Sequence, residues 1–201
     1  MKVRQSIVLA SASTARARLL EGAGISFVRD QATVDESIIK GAAREEGLSV
    51  EATAIALAEA KARNVAGRHP KMLVIGADQI LECDGAWFDK AASRDEAVRI
   101  LETLRDRTHR LVSAAAVVRD GTCLFSTVET ARLTMRPFTD RFLRNYMDEI
   151  GSTVLETVGG YRLEASGIQL FSRIDGSYFT ILGLPLLPVL DFFRSEGVIE
   201  R

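Results

Sequence analysis

The sequence predicts an α/β fold, built as a mixed sheet with a hairpin-rich part, and three observations support this fold class. Strand-like apolar runs alternate with helical patterns in the first half of the chain. Further along, Asp84-Gly85 and Asp120-Gly121 separate β-rich runs and are typical of two-residue hairpin turns. The 201 residues are 47% apolar and 26% charged, a globular composition that suits a single domain spanning residues 1–201.

Elements alternate in the first half of the chain. Apolar runs predict strands at residues 6–10 and 72–81, and a second short strand that begins at residues 27–28. A helical pattern follows Ser13 and continues through Leu20, and apolar side chains three and four positions apart predict a helix at residues 50–66. Between them lies a polar stretch, which contains Asp35 and Glu36 and for which no element is predicted.

Hairpins dominate the second half. Ser93 and Glu96 form a capping-box pattern, which predicts a helix that begins there and continues to about Leu104. The other predicted elements are hairpin strands at residues 109–119 and 122–135, a helix at 138–150, a β-rich segment at 154–182 and a final helix at 185–195.

Composition narrows the classes of function. The formal net charge of -1 argues against a broad surface for RNA or DNA. Cys83 and Cys123 stand alone, so neither a disulfide framework nor a structural zinc site is indicated. The apolar run near the N-terminus is too short for a signal peptide, and no stretch approaches the roughly 20 apolar residues of a membrane span. We therefore expect a cytoplasmic protein.

The junction between the first strand and the first helix carries a candidate anion site. Ser11, Ser13 and Arg16 lie at a helix N-terminus, where free N–H groups, hydroxyls and a guanidinium favour phosphate. The alternative interpretation is that Ser13 only caps the helix and that Arg16 is a solvated surface residue.

Two charged residues occupy apolar patterns. Lys61 lies in the apolar stripe of the helix at 50–66, where an ammonium needs a carboxylate or a phosphate unless it reaches solvent. Asp78 interrupts an apolar strand, and a buried carboxylate needs a cation, a metal or a shifted pKa unless the strand ends before it. Together with Glu36, Asp35 and Lys90, these residues supply the carboxylates and cations that bind a metal-chelated polyphosphate.

Short motifs along the whole chain are similar to those of one protein family. They are residues 9–20 (LASASTARARLL), 34–36 (VDE), 58–62 (AEAKA), 74–79 (VIGADQ), Lys90, 107–109 (RTH), 159–161 (GGY) and 183–186 (GLPL). Each motif is short, but their order and combination resemble the Maf proteins, nucleoside triphosphate pyrophosphatases once called septum formation inhibitors.

The resemblance implies an elongated mixed sheet with two lobes flanking a deep cleft, and a homodimer. It implies hydrolysis of a nucleoside triphosphate between the α and β phosphates, with Asp78 as the proton acceptor. Asp78 and Glu36 would hold Mg²⁺, Mn²⁺ or Co²⁺. The phosphates would be bound by Ser11, Ser13, Arg16, Lys61 and Lys90. The sequence does not show which carboxylate orients the metal and which accepts the proton.

Three positions bear on specificity. Ala15 stands where many relatives carry an arginine, Gln79 where the branch acting on dTTP and UTP carries threonine, and Glu164 where that branch carries glutamine. Gln79 and Glu164 are more similar to the branch acting on 7-methyl-GTP. A carboxylate can accept both edge donors of guanine and favours the positive charge of a 7-methylated base. A dTTP or UTP pyrophosphatase and a non-catalytic regulator of septum formation are the alternatives.

Overall fold

The computed structural model describes residues 6–200, so residues 1–5, where the N-terminal run considered for a signal peptide begins, lie outside the described part. The chain divides into two compact units. The first contains the residues up to Gln79, Ser113–Glu129 and the residues from Tyr178 onward, and the second contains Ile80–Val112 and Thr130–Ser177. The single domain spanning residues 1–201 and the cleft between two lobes stay predictions.

The predicted mixed α/β class is confirmed. Within residues 6–200, one sheet contains the strands β1 (Ile7–Leu9), β2 (Val28–Arg29), β3 (Leu73–Cys83), β4 (Ala86–Phe88), β5 (Thr108–Arg119), β6 (Thr122–Met135) and β7 (Phe171–Asp175). The strand order is β2-β1-β3-β5-β6-β7, with β4 paired to β3. Strand β1 is parallel to β2 and β3, whereas the β3–β4 and β6–β7 pairs are antiparallel.

The helices of the described residues are α1 (Thr14–Gly22), α2 (Glu36–Glu45), α3 (Val50–Ala66), α4 (Arg94–Leu104), α5 (Asp140–Ile150), α6 (Tyr178–Ile181) and α7 (Leu186–Ser195). The prediction for residues 50–66 is confirmed at both ends, since α3 begins at Val50 and ends at Ala66. Ser49 caps its N-terminus by accepting a hydrogen bond from the N–H of Ala52. Both Asp-Gly turns are confirmed as well, with positive φ at each of their residues.

One helix has no counterpart in the prediction, and one predicted element is wrong. The polar stretch at Glu36 is the start of α2, whose N-cap is Asp35: its carboxylate accepts hydrogen bonds from the N–H and hydroxyl of Ser37. The segment 154–182 is not β-rich. It contains the single strand β7, the short helix α6, the 3-10 helix at Ser166–Leu170 and the end of another at Gly151–Leu155, and turns that glycines with positive φ make possible.

In the first unit, helices cover both faces of the parallel strands. On one face, Ala62 and Val65 of α3 pack against Val8 and Val74. On the other, Leu9 and Ile75 belong to a second apolar cluster with residues of α1 and α7, including Leu20, Val189 and Phe193. This arrangement explains why β1 and the first half of β3 are almost continuously apolar, as strands buried on both faces are.

Helix α3 approaches β3 at Gly76. A Cβ atom on Gly76 would lie 2.1 Å from the carbonyl oxygen of Ala58 and 2.6 Å from the amide nitrogen of Ala62, so no other residue fits without displacing the helix. Since Lys61 belongs to the same helical turn, this close approach brings its side chain to the strand.

The second unit has a polar pair in its interior. The Nε2 atom of His109, which is 0% exposed, lies 2.7 Å from the hydroxyl oxygen of Tyr161. The rings of His109, Tyr161 and Phe171 also pack against one another, and the hydroxyl of Tyr146 donates to the carbonyl of Gly160. Burial lowers the pKa of His109 to about 4, so the imidazole is neutral near pH 7.

Candidate active site

Asp78, one of the predicted site residues, lies in strand β3, in the interior of the first unit. Successive side chains of a strand point to opposite faces, so Asp78 shares the α3-covered face with Gly76, and Gln79 points to the other face. Asp78 is only 4% exposed, and the strand continues to Cys83. The alternative in which the strand ends before Asp78 is therefore wrong.

Lys61 joins two carboxylates. Its Nζ atom lies 2.5 Å from Oδ1 of Asp78 and 2.7 Å from Oε1 of Glu36. The Lys61 side chain is 13% exposed, so the ammonium does not reach out into solvent and is instead stabilised by the two anions. Three residues from β3, α3 and α2 thus meet around one nitrogen atom.

Helix α2, absent from the sequence prediction, positions Glu36. Burial acts to raise the pKa of Glu36, but the charge and hydrogen bond of Lys61, with further help from Lys40 and Arg16, bring it below its ordinary value. Lys40 is 8% exposed, and its ammonium lies 3.9 Å from Oε2 of Glu36. Sequence reasoning missed Lys40, because its i,i+4 relation to Glu36 matters only once a helix is known there.

Arg16 is half-buried and hydrogen-bonded. Its Nε donates to the carbonyl of Gly183 at 2.7 Å, and its Nη1 donates to the carbonyl of Ala77 at 2.8 Å and to the hydroxyl of Ser11 at 3.3 Å. Burial lowers the pKa of Arg16, while the negative charges of Asp78 and Glu36 act to raise it. The alternative of a solvated surface arginine is therefore wrong.

The hydroxyls of Ser11 and Ser13 are arranged to donate. Ser11 Oγ accepts from the N–H of Ser13 and from Arg16, and Ser13 Oγ caps α1 by accepting from the N–H of Arg16. Because each oxygen is already used as an acceptor, its O–H hydrogen remains for an anion. Within residues 6–200, the two N–H groups on Arg16 Nη2 likewise have no protein acceptor. The junction thus offers several donors to one anion.

The carboxylates suit a hard divalent cation. Asp78 Oδ2 is buried and has no hydrogen-bond partner, which is an energetically costly state that a cation or a bound water would relieve. Mg²⁺ is commonly held by one or two carboxylates, with substrate phosphates and waters as the other ligands. Across the described residues no three His, Cys, Asp or Glu side chains form a metal-binding group, so a site would consist of Asp78 and Glu36.

The three specificity positions have different environments. Ala15 is half-buried in the first turn of α1, beside the anion donors. The amide nitrogen of Gln79 is hydrogen-bonded to protein oxygens on the opposite face of β3. Glu164, in the second unit, is exposed and has no ion pair or hydrogen-bond partner within residues 6–200.

Lys90 also belongs to the second unit. Its ammonium is exposed, and its backbone forms an isolated antiparallel bridge with Val158, next to the glycines of the 159–161 motif. The roles of Lys90 and Glu164 toward the residues around Lys61 stay predictions.

A cavity of about 390 Å³ lies elsewhere in the first unit. Its walls are mostly apolar and come from the start of β1, the segment around β2 and the C-terminal segment, and they include Ile25, Phe27 and Val198. None of the charged residues described above lines it. Separately, no helix within residues 6–200 has the length and apolar character needed to cross a bilayer.

A family model and two relatives of this chain each match nearly its whole length. A family model described as Maf-like protein matches residues 6–196. A nucleoside triphosphate pyrophosphatase of Paramagnetospirillum magneticum is 52% identical over 190 residues, which cover 94% of this chain and 98% of the relative. A 7-methyl-GTP pyrophosphatase of Rhizobium johnstonii is 43% identical over 194 residues, which cover 96% of this chain and 98% of that relative. Among solved structures, a HAM1 protein from Coxiella burnetii has a TM-score of 0.42 at 17% identity, and the match covers 67% of this chain and 74% of that one.

Proposed function

The chain belongs to the Maf-like protein family, and we propose that it hydrolyses a nucleoside triphosphate to the monophosphate and pyrophosphate. The observation that carries the proposal is the ammonium of Lys61 held between Asp78 and Glu36 in the unit that also contains Arg16. Carboxylates for a cation and N–H donors for phosphate are the groups that this reaction needs. The name of the 52% identical relative supports the same activity.

In the proposed reaction, Asp78 accepts a proton from the attacking water at Oδ2. Lys61 hydrogen-bonds Oδ1 at 2.5 Å, whereas Oδ2 has no partner among the described residues and is therefore the oxygen available to a water. Removing this proton strengthens the water as a nucleophile toward the α-phosphorus. The charge of Lys61 holds the carboxylate in place while it does so.

The donors around α1 bind the phosphates. The Nη2 group of Arg16 and the hydroxyls of Ser11 and Ser13 are positioned by their own hydrogen bonds before any substrate arrives. Fixed donors of this kind neutralise the charge that develops on the leaving pyrophosphate. Lys61 and Lys90 are proposed to add positive charge to the same phosphates.

Asp78 and Glu36 would hold the divalent cation, Mg²⁺, Mn²⁺ or Co²⁺, through carboxylate oxygens. When bound, the cation supplies neutralisation of phosphate charge and orientation of the phosphate chain. A chelator is expected to abolish activity, and each of the three metals is then added back to rank their use.

The proposal is tested by pyrophosphate release from a panel of nucleoside triphosphates with Mg²⁺. Asp78→Asn is expected to lower kcat by about 1000-fold, because the amide cannot accept the proton. Glu82→Gln is the matched control: Glu82 is a buried carboxylate of the same strand, 9% exposed and paired with Arg110, and its loss should leave kcat within about twofold. A wild-type protein that releases no pyrophosphate from any nucleotide overturns the proposal and favours the non-catalytic regulator.

We further propose 7-methyl-GTP, or a related modified nucleotide, as the substrate. Glu164 would accept the N1–H and N2–H₂ donors of the guanine edge, and its negative charge favours a methylated, positively charged base. Two observations support Glu164 for this role. Its carboxylate has no competing partner within residues 6–200, and the turn that carries it is fixed, because a Cβ on Gly167 would lie 2.4 Å from the carbonyl of Arg162.

Glu164→Gln tests this substrate. The ratio of kcat/KM for 7-methyl-GTP to that for UTP is expected to fall by about 10-fold or more, because the lost charge affects only the methylated base. Glu45→Gln, which removes an exposed carboxylate at the end of α2, should leave the ratio unchanged. If the ratio is unchanged in Glu164→Gln, Glu164 does not recognise the base. If the wild-type protein hydrolyses dTTP and UTP faster than 7-methyl-GTP, the proposed substrate is wrong and the alternative substrates take its place.

A cytoplasmic location and a homodimer are proposed together with this activity. Sedimentation of the purified protein across a range of concentrations measures the oligomeric state, and fractionation of the producing cell measures the location. A monomer at all concentrations, or recovery outside the cytoplasmic fraction, contradicts the respective proposal.

A further inference from the structure

The side-chain amide of Gln79 is bound to the protein. Its Nε2 lies 2.8 Å from the Oγ of Ser113 and 3.0 Å from each of the carbonyl oxygens of Thr180 and Ile181. The two carbonyls can only accept, so the nitrogen of the amide must face them. Its two hydrogens are shared among three acceptors, and none remains to donate to a nucleotide base.

Ser113 completes the same contact. It is 0% exposed, and its hydroxyl accepts from Gln79 and donates to the carbonyl of Thr180 at 2.7 Å. The Thr180 side chain is also held, because its hydroxyl donates to Glu129. Gln79 and Ser113 therefore fix the end of helix α6 at its backbone, and Glu129 fixes it at a side chain.

The end of α6 leads directly to Arg16. The N–H of Gly183 donates to the carbonyl of Thr180 at 3.0 Å, and the carbonyl of Gly183 accepts from Arg16 Nε at 2.7 Å. The guanidinium also packs on Gly183, where a Cβ would lie 3.3 Å from Nε and 3.4 Å from Nη2. The position of this glycine, together with the carbonyl of Ala77 and the hydroxyl of Ser11, thus sets where Arg16 presents its remaining N–H groups.

We propose that Gln79 and Ser113 are positioning residues that act on the substrate through Arg16. They hold the turn after α6, the turn holds the guanidinium, and the guanidinium meets the phosphates. The inference rests on the proposed function for its kinetic consequences, and it changes how Gln79 would affect specificity. The residue at this position alters the placement of an arginine donor and does not contact the base through its amide nitrogen.

A double-mutant cycle tests the connection. Gln79→Met keeps the length of the side chain and removes its donor, and Arg16→Lys keeps the charge and removes the bond to Gly183. Each single variant is expected to lower kcat/KM by about 10-fold or more, while Gln79→Met causes no further loss when Arg16 is already lysine. Independent, multiplicative losses in the double variant overturn the proposal.

Ser113→Ala repeats the test with a smaller change and serves if Gln79→Met does not fold. Thr53→Val is its matched control, because Thr53 is also 0% exposed and also loses a buried hydroxyl, one that donates to the carbonyl of Ser49. Thr53→Val should lower the melting temperature without lowering kcat/KM. Equal kinetic losses in Ser113→Ala and Thr53→Val would mean that Ser113 acts only on stability, which contradicts the proposal.

Hydrogen exchange at Arg16 Nε, followed by ¹⁵N NMR, gives a readout that needs no turnover. In Ser113→Ala the exchange rate should rise by about 10-fold or more, because the acceptor at Gly183 is no longer fixed, and in Thr53→Val it should not change. An unchanged rate in Ser113→Ala overturns the positioning role even in an active enzyme. A wild-type protein with a protected Nε–H but no hydrolysis overturns the proposed function and leaves the positioning role standing.

Discussion

Replacing Gly76 by alanine should damage both the fold and the site, because a single Cβ atom would be placed inside helix α3. The atom would lie 2.1 Å from the carbonyl oxygen of Ala58, 2.6 Å from the amide nitrogen of Ala62 and 2.9 Å from the Cβ of Ala62. An ordinary contact between carbon and oxygen needs about 3.4 Å. Two of the three atoms are helix backbone, so no side-chain rotation relieves the overlap, and the helix must move by about 1 Å.

The expected cost follows from that displacement. Overpacking a close-packed interior typically costs about 1–3 kcal/mol, and a clash with backbone lies at the upper end, so we expect about 3 kcal/mol. The second cost is kinetic. Lys61 lies between Ala58 and Ala62, so moving the helix moves the ammonium away from Asp78 and Glu36, and a misplacement of about 1 Å can lower the rate about 100-fold.

Urea unfolding measures the stability of Gly76→Ala, and pyrophosphate release measures its kcat/KM. Gly41→Ala is the matched control, because Gly41 lies inside α2 and an added Cβ meets no atom within 4 Å. There the same substitution should stabilise the protein by about 0.5–1 kcal/mol through helix propensity. Wild-type stability and kcat/KM in Gly76→Ala would refute the claim that this glycine sets the approach of α3.

Three further predictions follow from single contacts. Ser49→Ala removes the N-cap of α3 and should cost about 1 kcal/mol in urea unfolding. The depressed pKa of His109, about 4, means that the unfolded chain binds this proton first. The neutral His109 side chain contributes fully to the stability of the fold above pH 6.5, and this contribution is lost as the pH falls toward 4. The free energy of unfolding should therefore fall by about 2 kcal/mol between pH 7 and pH 5. One of the two histidine NMR signals should titrate near pH 4. Lys61→Met removes the cation between Asp78 and Glu36, so calorimetry should show tighter binding of free Mn²⁺ while turnover falls.

Local signals in the sequence predicted most elements of the fold. The helix at 50–66 and the two Asp-Gly hairpins were predictable because periodicity and turn chemistry act over a few neighbouring residues. Helix α2 was not predicted, because its apolar residues do not mark its buried face: Ile38 is 68% exposed, and the buried residues are Lys40 and Ala43. The segment 154–182 was misassigned because glycines in left-handed conformations make its apolar residues part of turns.

The candidate site shows a different limit. Asp78 and Lys61 stood out because each placed a charge in an apolar pattern, and the structure joins them at 2.5 Å. Ser113 carried no such signal, because a small hydroxyl in an apolar strand is common and its partners are 34 and 67 positions away in the chain. Long-range contacts of this kind depend on topology, which a local pattern does not encode.

The charges around Lys61 bear on whether the site would bind a free metal ion or a metal that is already bound to a nucleotide. Within the first unit, Arg16 and Lys61 place two positive charges beside the two negative charges of Glu36 and Asp78, so a bound anion would meet cations as well as carboxylates. In the free protein Lys61 pairs with both carboxylates, and its charge opposes a bare divalent cation at the same oxygens. A metal bound to a triphosphate would carry its own anion, which Arg16 and Lys61 would attract while Lys61 stays hydrogen-bonded to Asp78. The arrangement would therefore favour a metal–nucleotide complex, the substrate of the proposed function, over either component alone.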